Sequence, residues 1–124
     1  FKQSPFEHLA GIVLHNCRGG KRSSIDEERW LDCLEVQGRQ YFLHLADGDK
    51  IFVDGFDRHT NTVYEFYGDY WHGNPKKFNH DEINTSVGKK FGELYENTLR
   101  KKEFICSMGF NYIEMWESDF ISCT

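Results

Sequence analysis

The chain has 124 residues, of which 39% are hydrophobic and 16% aromatic, and its formal net charge is -5. This length is typical of one domain, and the apolar content excludes disorder over the whole chain. No apolar run reaches the roughly 18 residues that a membrane-spanning helix needs. The acidic balance argues against a protein that only binds phosphate backbones non-specifically, but it is compatible with an enzyme whose metal-binding carboxylates are themselves acidic.

The start of the chain and its cysteines bear on the setting of the protein. The first residue is Phe1 rather than Met, and no basic-then-apolar leader follows it. We therefore expect a fragment of a longer intracellular protein, with a single domain over residues 1–124 and residues 1–23 as an N-terminal extension. The four cysteines include no closely spaced pair of the kind that binds zinc, so we expect reduced and mostly buried thiols at Cys17, Cys33, Cys106 and Cys123.

A helix is predicted after the polar segment 19–24, with Ser23 or Ser24 as its N-terminal cap. Acidic side chains suit its first turn and are present as Asp26, Glu27 and Glu28. The apolar residues at approximate helical spacing are Ile25, Trp30, Leu31, Leu34 and Val36. They predict a helix that ends at Gly38.

The pattern then changes to short strands joined by tight turns. Three strands are predicted, over residues 41–45, 51–56 and 62–67. Because polar turns of a few residues separate them, they should form an antiparallel meander. The next stretch, 68–84, is rich in Gly, Pro and Asn and is predicted as a loop.

A long helix and a last strand complete the predicted order of helix, three strands, helix and strand. The helix should span residues 88–108, with residues 100–103 on its solvent-exposed face. Its expected core stripe consists of Phe91, Leu94, Tyr95, Leu99, Phe104, Ile105 and Met108. The strand 111–116 is too short to stand alone and must pair in the sheet.

Two carboxylates inside predicted neighbouring strands are the strongest chemical signal. Asp54 lies in the second strand and Glu65 in the third, so both can lie side by side on the sheet. Like charges repel, and a hard cation such as Mg²⁺ gives a reason to bring them together. The alternative is that Asp54 lies near a turn and Glu65 faces solvent.

A histidine follows these carboxylates closely. His72 is a candidate general acid or base, because the ordinary pKa of imidazole lies near neutral pH. Glu28 and Asp69 are further carboxylates that could complete the site. A loop histidine held only by hydrogen bonds is the alternative interpretation.

Three blocks of the sequence resemble a known nuclease group: ERWL at 28–31, VDGF at 53–56 and VYEFYGDYWHG at 63–73. They are similar to the very short patch repair endonuclease branch of the PD-(D/E)xK superfamily, including its homing-endonuclease relatives. The long helix and the strand that leads into Trp116 and Glu117 also resemble the end of that domain. The likeness extends over most of residues 24–117.

The resemblance implies a mixed α/β fold with a restriction-endonuclease-like αβββαβ core. It also implies cleavage of DNA phosphodiester bonds that depends on Mg²⁺, with Mn²⁺ as a possible substitute. The implied catalytic residues are Glu28, Asp54, Glu65 and His72, and the implied metal ligands are Asp54, Glu65 and the carbonyl of Phe66. The expected partner is DNA, bound by a homodimer or with the help of a fused recognition domain.

This chain departs from the family pattern at several positions. Tyr67 stands where the superfamily has a lysine, so His72 or another lysine such as Lys50 would have to replace it. No structural zinc is expected, because the ligand positions of the repair enzymes hold Asp69, Asn74 and Lys76. Thr98 aligns with an aspartate of the long helix, and Glu96 lies nearby.

Two other functions remain open from the sequence. The missing lysine is compatible with a non-catalytic DNA-binding or partner-binding remnant of the same fold. A ββα-metal nuclease built on His72, Asn79 and His80 is the third interpretation. For the endonuclease that the resemblance implies, the basic pairs that could follow a DNA backbone are 21–22, 76–77, 89–90 and 101–102. Ordinary solvent-exposed surface is the alternative interpretation, and it is favoured for at least half of these pairs.

Overall fold

The structure, a computed structural model, describes residues 24–123, so the predicted extension 1–23 lies outside the described residues. The fold is mixed α+β and contains a four-stranded mixed sheet, which confirms the predicted class at that level. The elements are α1 (Ile25–Cys33), β1 (Gly38–His44), β2 (Lys50–Asp57), β3 (Thr62–Tyr67), α2 (Asp69–His72), β4 (Ile83–Asn84), β5 (Lys89–Lys90), α3 (Phe91–Ser107), β6 (Asn111–Trp116) and α4 (Glu117–Cys123).

Helix α1 begins where the sequence predicts but ends earlier. The Ser24 hydroxyl caps it by accepting the Glu27 N–H at 3.0 Å. The helix ends at Cys33 rather than Gly38, and Glu35 then takes a left-handed φ of 57°. Two residues of the predicted apolar stripe, Ile25 and Leu34, are exposed.

The predicted meander is confirmed, and β6 extends it. The strand order is β1-β2-β3-β6, with β1, β2 and β3 antiparallel and β6 parallel to β3. Strand β6 runs beside the whole of β3, from Thr62 opposite Asn111 to Tyr67 opposite Trp116. The parallel arrangement requires the long connection through α3.

The sheet has a hydrophobic core on each face. One core packs against α3 and consists of Leu43, Ile51, Val53, Phe56, Val63 and Ile105. The other packs beneath α1 and α4 and consists of Trp30, Leu31, Val36, Tyr64, Phe66 and Phe120. A side chain at Gly55 would meet Leu31 at 3.1 Å and Val36 at 3.0 Å, so this glycine lets the α1 region approach the sheet closely.

The segment between β3 and α3 is more ordered than the predicted loop. It holds the short helix α2 and the two-stranded pair β4–β5. Helix α3 begins at Phe91, and its buried stripe differs from the expected one: Leu99 and Met108 are exposed, whereas Lys101 is 7% exposed. The prediction that residues 100–103 all face solvent is therefore wrong at Lys101.

The described thiols do not lie in the core. Cys33 and Cys106 are free and exposed, because each lies on the outer face of its helix, so burial was wrong for both. In the part of the chain that the structure describes, no helix combines the length and hydropathy that crossing a bilayer requires.

Candidate active site

The two strand carboxylates, Asp54 and Glu65, meet where the pairing between β2 and β3 stops. The paired register runs from Asp57 opposite Thr62 to Gly55 opposite Tyr64. At the next position the Asp54 N–H donates to Glu65 Oε1 at 2.9 Å, and the Phe66 N–H donates to Asp54 Oδ2 at 2.7 Å. The carboxylates thus take the place of main-chain acceptors, and the structure brings Asp54, Glu65 and the Phe66 backbone together as predicted.

A buried lysine, Lys101, completes this pair. Lys101 reaches across from α3, and its Nζ lies 2.9 Å from Glu65 Oε2. The two side chains are only 9% and 4% exposed. An ammonium therefore lies beside the strand glutamate although the expected lysine position holds Tyr67.

The carboxylate that α1 contributes is Glu27, whereas Glu28 is exposed. Glu27 lies three and four residues before Trp30 and Leu31, so it shares their buried face, and it is 8% exposed. Adjacent helical residues point about 100° apart, which turns Glu28 towards solvent. The structure thus places Glu27, and not the expected Glu28, on the buried face beside Asp54 and Glu65.

Two of these carboxylates, Glu27 and Asp54, have a raised pKa beside Glu65. Burial, Glu65 and Glu28 raise the pKa of Glu27 to about 7, against the smaller lowering effect of the Gln40 hydrogen bond. Burial, Glu65 and Glu27 raise the pKa of Asp54 well above its usual range. When fully ionised, these three carboxylates and one lysine carry a formal charge of -3 + 1 = -2.

His72 is buried beside this cluster in a fixed orientation. The Thr98 hydroxyl donates to the Leu94 carbonyl at 2.9 Å, so it accepts the hydrogen bond that joins it to His72 Nδ1 at 3.0 Å. Nδ1 therefore carries the proton and Nε2 has a lone pair. Burial and the nearby Lys101 lower the pKa of His72 to about 3, so the expected titration near neutral pH is corrected.

An NMR pH titration distinguishes the buried His72 from the exposed His80 by their pKa values. We expect the His72 ring to stay neutral from pH 5 to 8, because protonation would leave a buried charge beside Lys101. His80 should titrate above its usual range, because hydrogen bonds to Asp81 and Glu96 raise its pKa. Both rings can be followed in one NMR pH titration, and a His72 transition near pH 6.5 would contradict the assignment.

The other expected replacements for the lysine lie elsewhere. The Tyr67 ring packs on His72 and Trp116, and its hydroxyl contacts that of Tyr112. Burial and Glu65 raise the pKa of Tyr67, so the phenol stays neutral. Lys50 is exposed, with Nζ 5.2 Å from the Phe42 ring centroid.

The positions considered for zinc are joined by hydrogen bonds. Asp69 Oδ1 accepts from the Asn74 amide at 2.8 Å and from the Ser118 hydroxyl at 3.3 Å, while the Lys76 N–H donates to Asn74 Oδ1 at 3.0 Å. This network links α2 to α4, so Asp69 has a structural contact and does not join Asp54 and Glu65.

The three residues of the ββα-metal interpretation do not form one cluster. His72 is buried against Thr98, whereas His80 is exposed between Asp81 and Glu96. Asn79 is exposed, and its side chain accepts the Asp81 N–H. Glu96, considered as a substitute near Thr98, is bound to His80 and Arg100 instead.

The donor set at Asp54 and Glu65 fits a hard divalent cation. Within residues 24–123, no group of three or more His, Cys, Asp or Glu side chains is arranged to hold an ion by itself. Mg²⁺, however, usually takes one or two protein carboxylates and completes its shell with water and phosphate oxygens. Two carboxylates with the Phe66 backbone beside them, in a cluster of formal charge -2, match that requirement.

Helical spacing contained the signal for both site residues that the sequence analysis missed. Lys101 follows Leu94 and Thr98 and precedes Ile105 at steps of three and four, which places it on the buried stripe. Glu27 stands in the same relation to Trp30 and Leu31.

Comparisons with protein families, curated proteins and solved structures found no match for this chain.

Proposed function

We propose that this domain is a divalent-cation-dependent DNA endonuclease with a restriction-endonuclease-like core. The observation that carries the proposal is the convergence of Glu27, Asp54, Glu65 and Lys101, from four different elements, where β2 and β3 separate. A stable sheet gains nothing from gathering three carboxylates, two of them buried, beside one buried ion pair. Metal-assisted phosphodiester hydrolysis uses such a set.

Asp54, Glu65 and the Phe66 carbonyl are the residues that would hold Mg²⁺ or Mn²⁺. When bound, the cation would polarise the scissile phosphate and make water a better nucleophile at neutral pH. The reciprocal hydrogen bonds at the backbone fix the two carboxylates before any ligand arrives. Such preorganisation lowers the cost of reaching the reactive geometry.

Lys101 and His72 have different tasks in this proposal. The Lys101 ammonium, held by Glu65, would stabilise the negative charge that develops on the phosphate oxygens. His72 has an unprotonated Nε2 and a pKa lowered to about 3, so it would accept a hydrogen bond from water and stay neutral. Glu27, when ionised, would add a negative charge beside Asp54 and Glu65 and so favour binding of the cation.

DNA would bind at the exposed lysines of the segment between β3 and α3. Lys76, Lys77, Lys89 and Lys90 are all exposed. Contacts from such side chains to phosphates position a duplex without reading its sequence. Recognition of one target would then come from a homodimer or a fused domain, as the sequence predicted.

The non-catalytic remnant depended on the absence of a lysine from the site. Lys101 provides an ammonium at Glu65, so that alternative loses the observation that motivated it. The non-catalytic interpretation would be supported if the wild-type domain failed to cut DNA in the test described next.

The proposal is tested by cleavage of a supercoiled plasmid with and without Mg²⁺. We expect the wild-type domain to cut only with the cation, and Asp54→Ala and Glu27→Gln to lose at least about 10²-fold in rate. Glu28→Gln is the matched control, since its carboxylate is exposed, and it should cut at the wild-type rate. Cleavage by Asp54→Ala, or none by the wild type, would contradict the proposed function.

A further inference from the structure

Gln40 has a backbone conformation that its position in the fold does not explain. In the described part of the chain, the non-glycine residues with positive φ are Glu35, Gln40 and Asn61. Glu35 follows the end of α1 and Asn61 lies in the turn between β2 and β3, where a left-handed residue helps to close the chain. Gln40, with φ of 50°, lies inside β1, where extended residues are expected.

The register places this unusual residue beside the carboxylate cluster. Arg39 pairs with Gly55 and Tyr41 pairs with Val53, so Gln40 lies opposite Asp54. Gln40 of β1 and Asp54 of β2, a metal ligand in the proposed function, therefore occupy facing positions. Strained residues of this kind persist where the surrounding structure or the function requires them.

The side chain of Gln40 provides a reason for the conformation. Its Nε2 donates to Glu27 Oε2 at 2.8 Å and so joins β1 to α1. Gln40 is exposed, whereas Glu27 is buried, so the amide lies between the carboxylate and solvent. A donor at this point both orients Glu27 and favours its charged form.

We propose that Gln40 is a positioning residue, which holds the Glu27 carboxylate towards Asp54 and Glu65 and keeps its left-handed backbone for that contact. The inference rests on the proposed function for its effect on cleavage. It does not need that function for the hydrogen bond itself. Partners that orient the groups of a metal site typically contribute 10- to 100-fold in activity or metal affinity, about the effect expected here.

Two substitutions separate the effect of the Gln40 side-chain amide from the effect of its left-handed backbone conformation. Gln40→Met keeps a side chain of similar length without a donor, and kcat should fall by about 10- to 100-fold with KM unchanged. Gln40→Gly should lose the same activity but be destabilised less than Gln40→Met, because glycine accepts the positive φ. Glu35→Gly is the matched control, with the same backbone relief at φ of 57° away from the site, and it should cut at the wild-type rate.

Two kinetic results for Gln40→Met would overturn the positioning role. Wild-type kcat in Gln40→Met would overturn the positioning role. A higher KM with unchanged kcat would also overturn it and would make Gln40 a contact to DNA.

A second readout keeps the inference testable without any cleavage. A double-mutant cycle of Gln40→Met and Glu27→Gln, followed by denaturant unfolding, measures whether the two side chains are coupled. At pH 8, where Glu27 is charged, a hydrogen bond to this carboxylate predicts non-additivity of about 10-fold or more in the unfolding equilibrium constant. Coupling without nuclease activity would refute the proposed function alone, whereas additivity would refute the contact that this inference requires.

Discussion

Replacing Lys101 by methionine is expected to lower the rate of DNA cleavage by about 10³-fold or more, because it removes the ammonium beside the reacting phosphate. The same change leaves Glu65 buried without its partner, since the two side chains are 9% and 4% exposed. Removing one member of such a pair should cost about 3–5 kcal/mol of stability. Cleavage must therefore be measured well below the unfolding midpoint of the variant, with folding checked by circular dichroism.

Two controls separate the loss of the Lys101 charge at the site from the loss of a surface lysine and from the loss of stability. Lys102→Met removes the neighbouring lysine, which pairs with Glu114 at 3.0 Å and is 37% exposed. It should cut normally and change stability by less than about 1 kcal/mol. The double variant Glu65→Gln with Lys101→Met should regain much of the lost stability without regaining cleavage. Wild-type rates in Lys101→Met would remove this lysine from the mechanism.

The free energy of unfolding of the metal-free domain is expected to fall as the pH rises from about 4.5 to about 7. Most carboxylates behave in the opposite way. Here the pKa of Glu27 is raised on folding from 4.5 to about 7, so in this window the folded state holds a proton that the unfolded state has lost. The contribution is fully present below the unfolded pKa and lost above the folded one, and it amounts to no more than about 3 kcal/mol.

Denaturant unfolding at several pH values, in buffer with a chelator, measures this slope. Glu27→Gln should flatten it, whereas Glu28→Gln should leave it unchanged. Asp54→Asn should make the metal-free domain more stable at pH 8, because burial and Glu65 raise the pKa of Asp54 as well. Mg²⁺ at 100 times its dissociation constant should recover about 2.7 kcal/mol in the wild type. Stability that rises steadily towards pH 8 without metal would contradict the buried acidic cluster.

The sheet and the strand carboxylates were predictable because their signals are local. Alternating apolar residues and short polar turns defined the meander, and each acidic residue inside a strand was visible without knowing the partners of that strand. The pairing of Asp54 with Glu65 then followed from strand adjacency. The end of the sheet pairing at Gly55 and Tyr64, where the site opens, has no comparable local signal.

The helical side chains of the site were harder to predict, because charge and burial conflict there. A lysine in the run 100–103 is ordinarily a solvent-facing residue, so its position on the core stripe was outweighed by its charge. Only the tertiary contact with Glu65 explains why Lys101 is buried. Glu27 shows the same conflict, because its spacing to Trp30 and Leu31 places it on the buried face whereas its charge favours solvent.

A calorimetric titration of the domain with Mn²⁺ tests the central claim most directly, because it does not depend on knowing the DNA target. The cluster of Asp54, Glu65, Glu27 and Lys101 predicts one bound ion per domain in the wild type and in Glu28→Gln. Asp54→Asn and Glu65→Gln should abolish this binding. Folding of both variants is checked by circular dichroism, because Glu65→Gln leaves the buried Lys101 without its partner. Binding of equal strength in Asp54→Asn, or no binding by the wild type, would contradict the account.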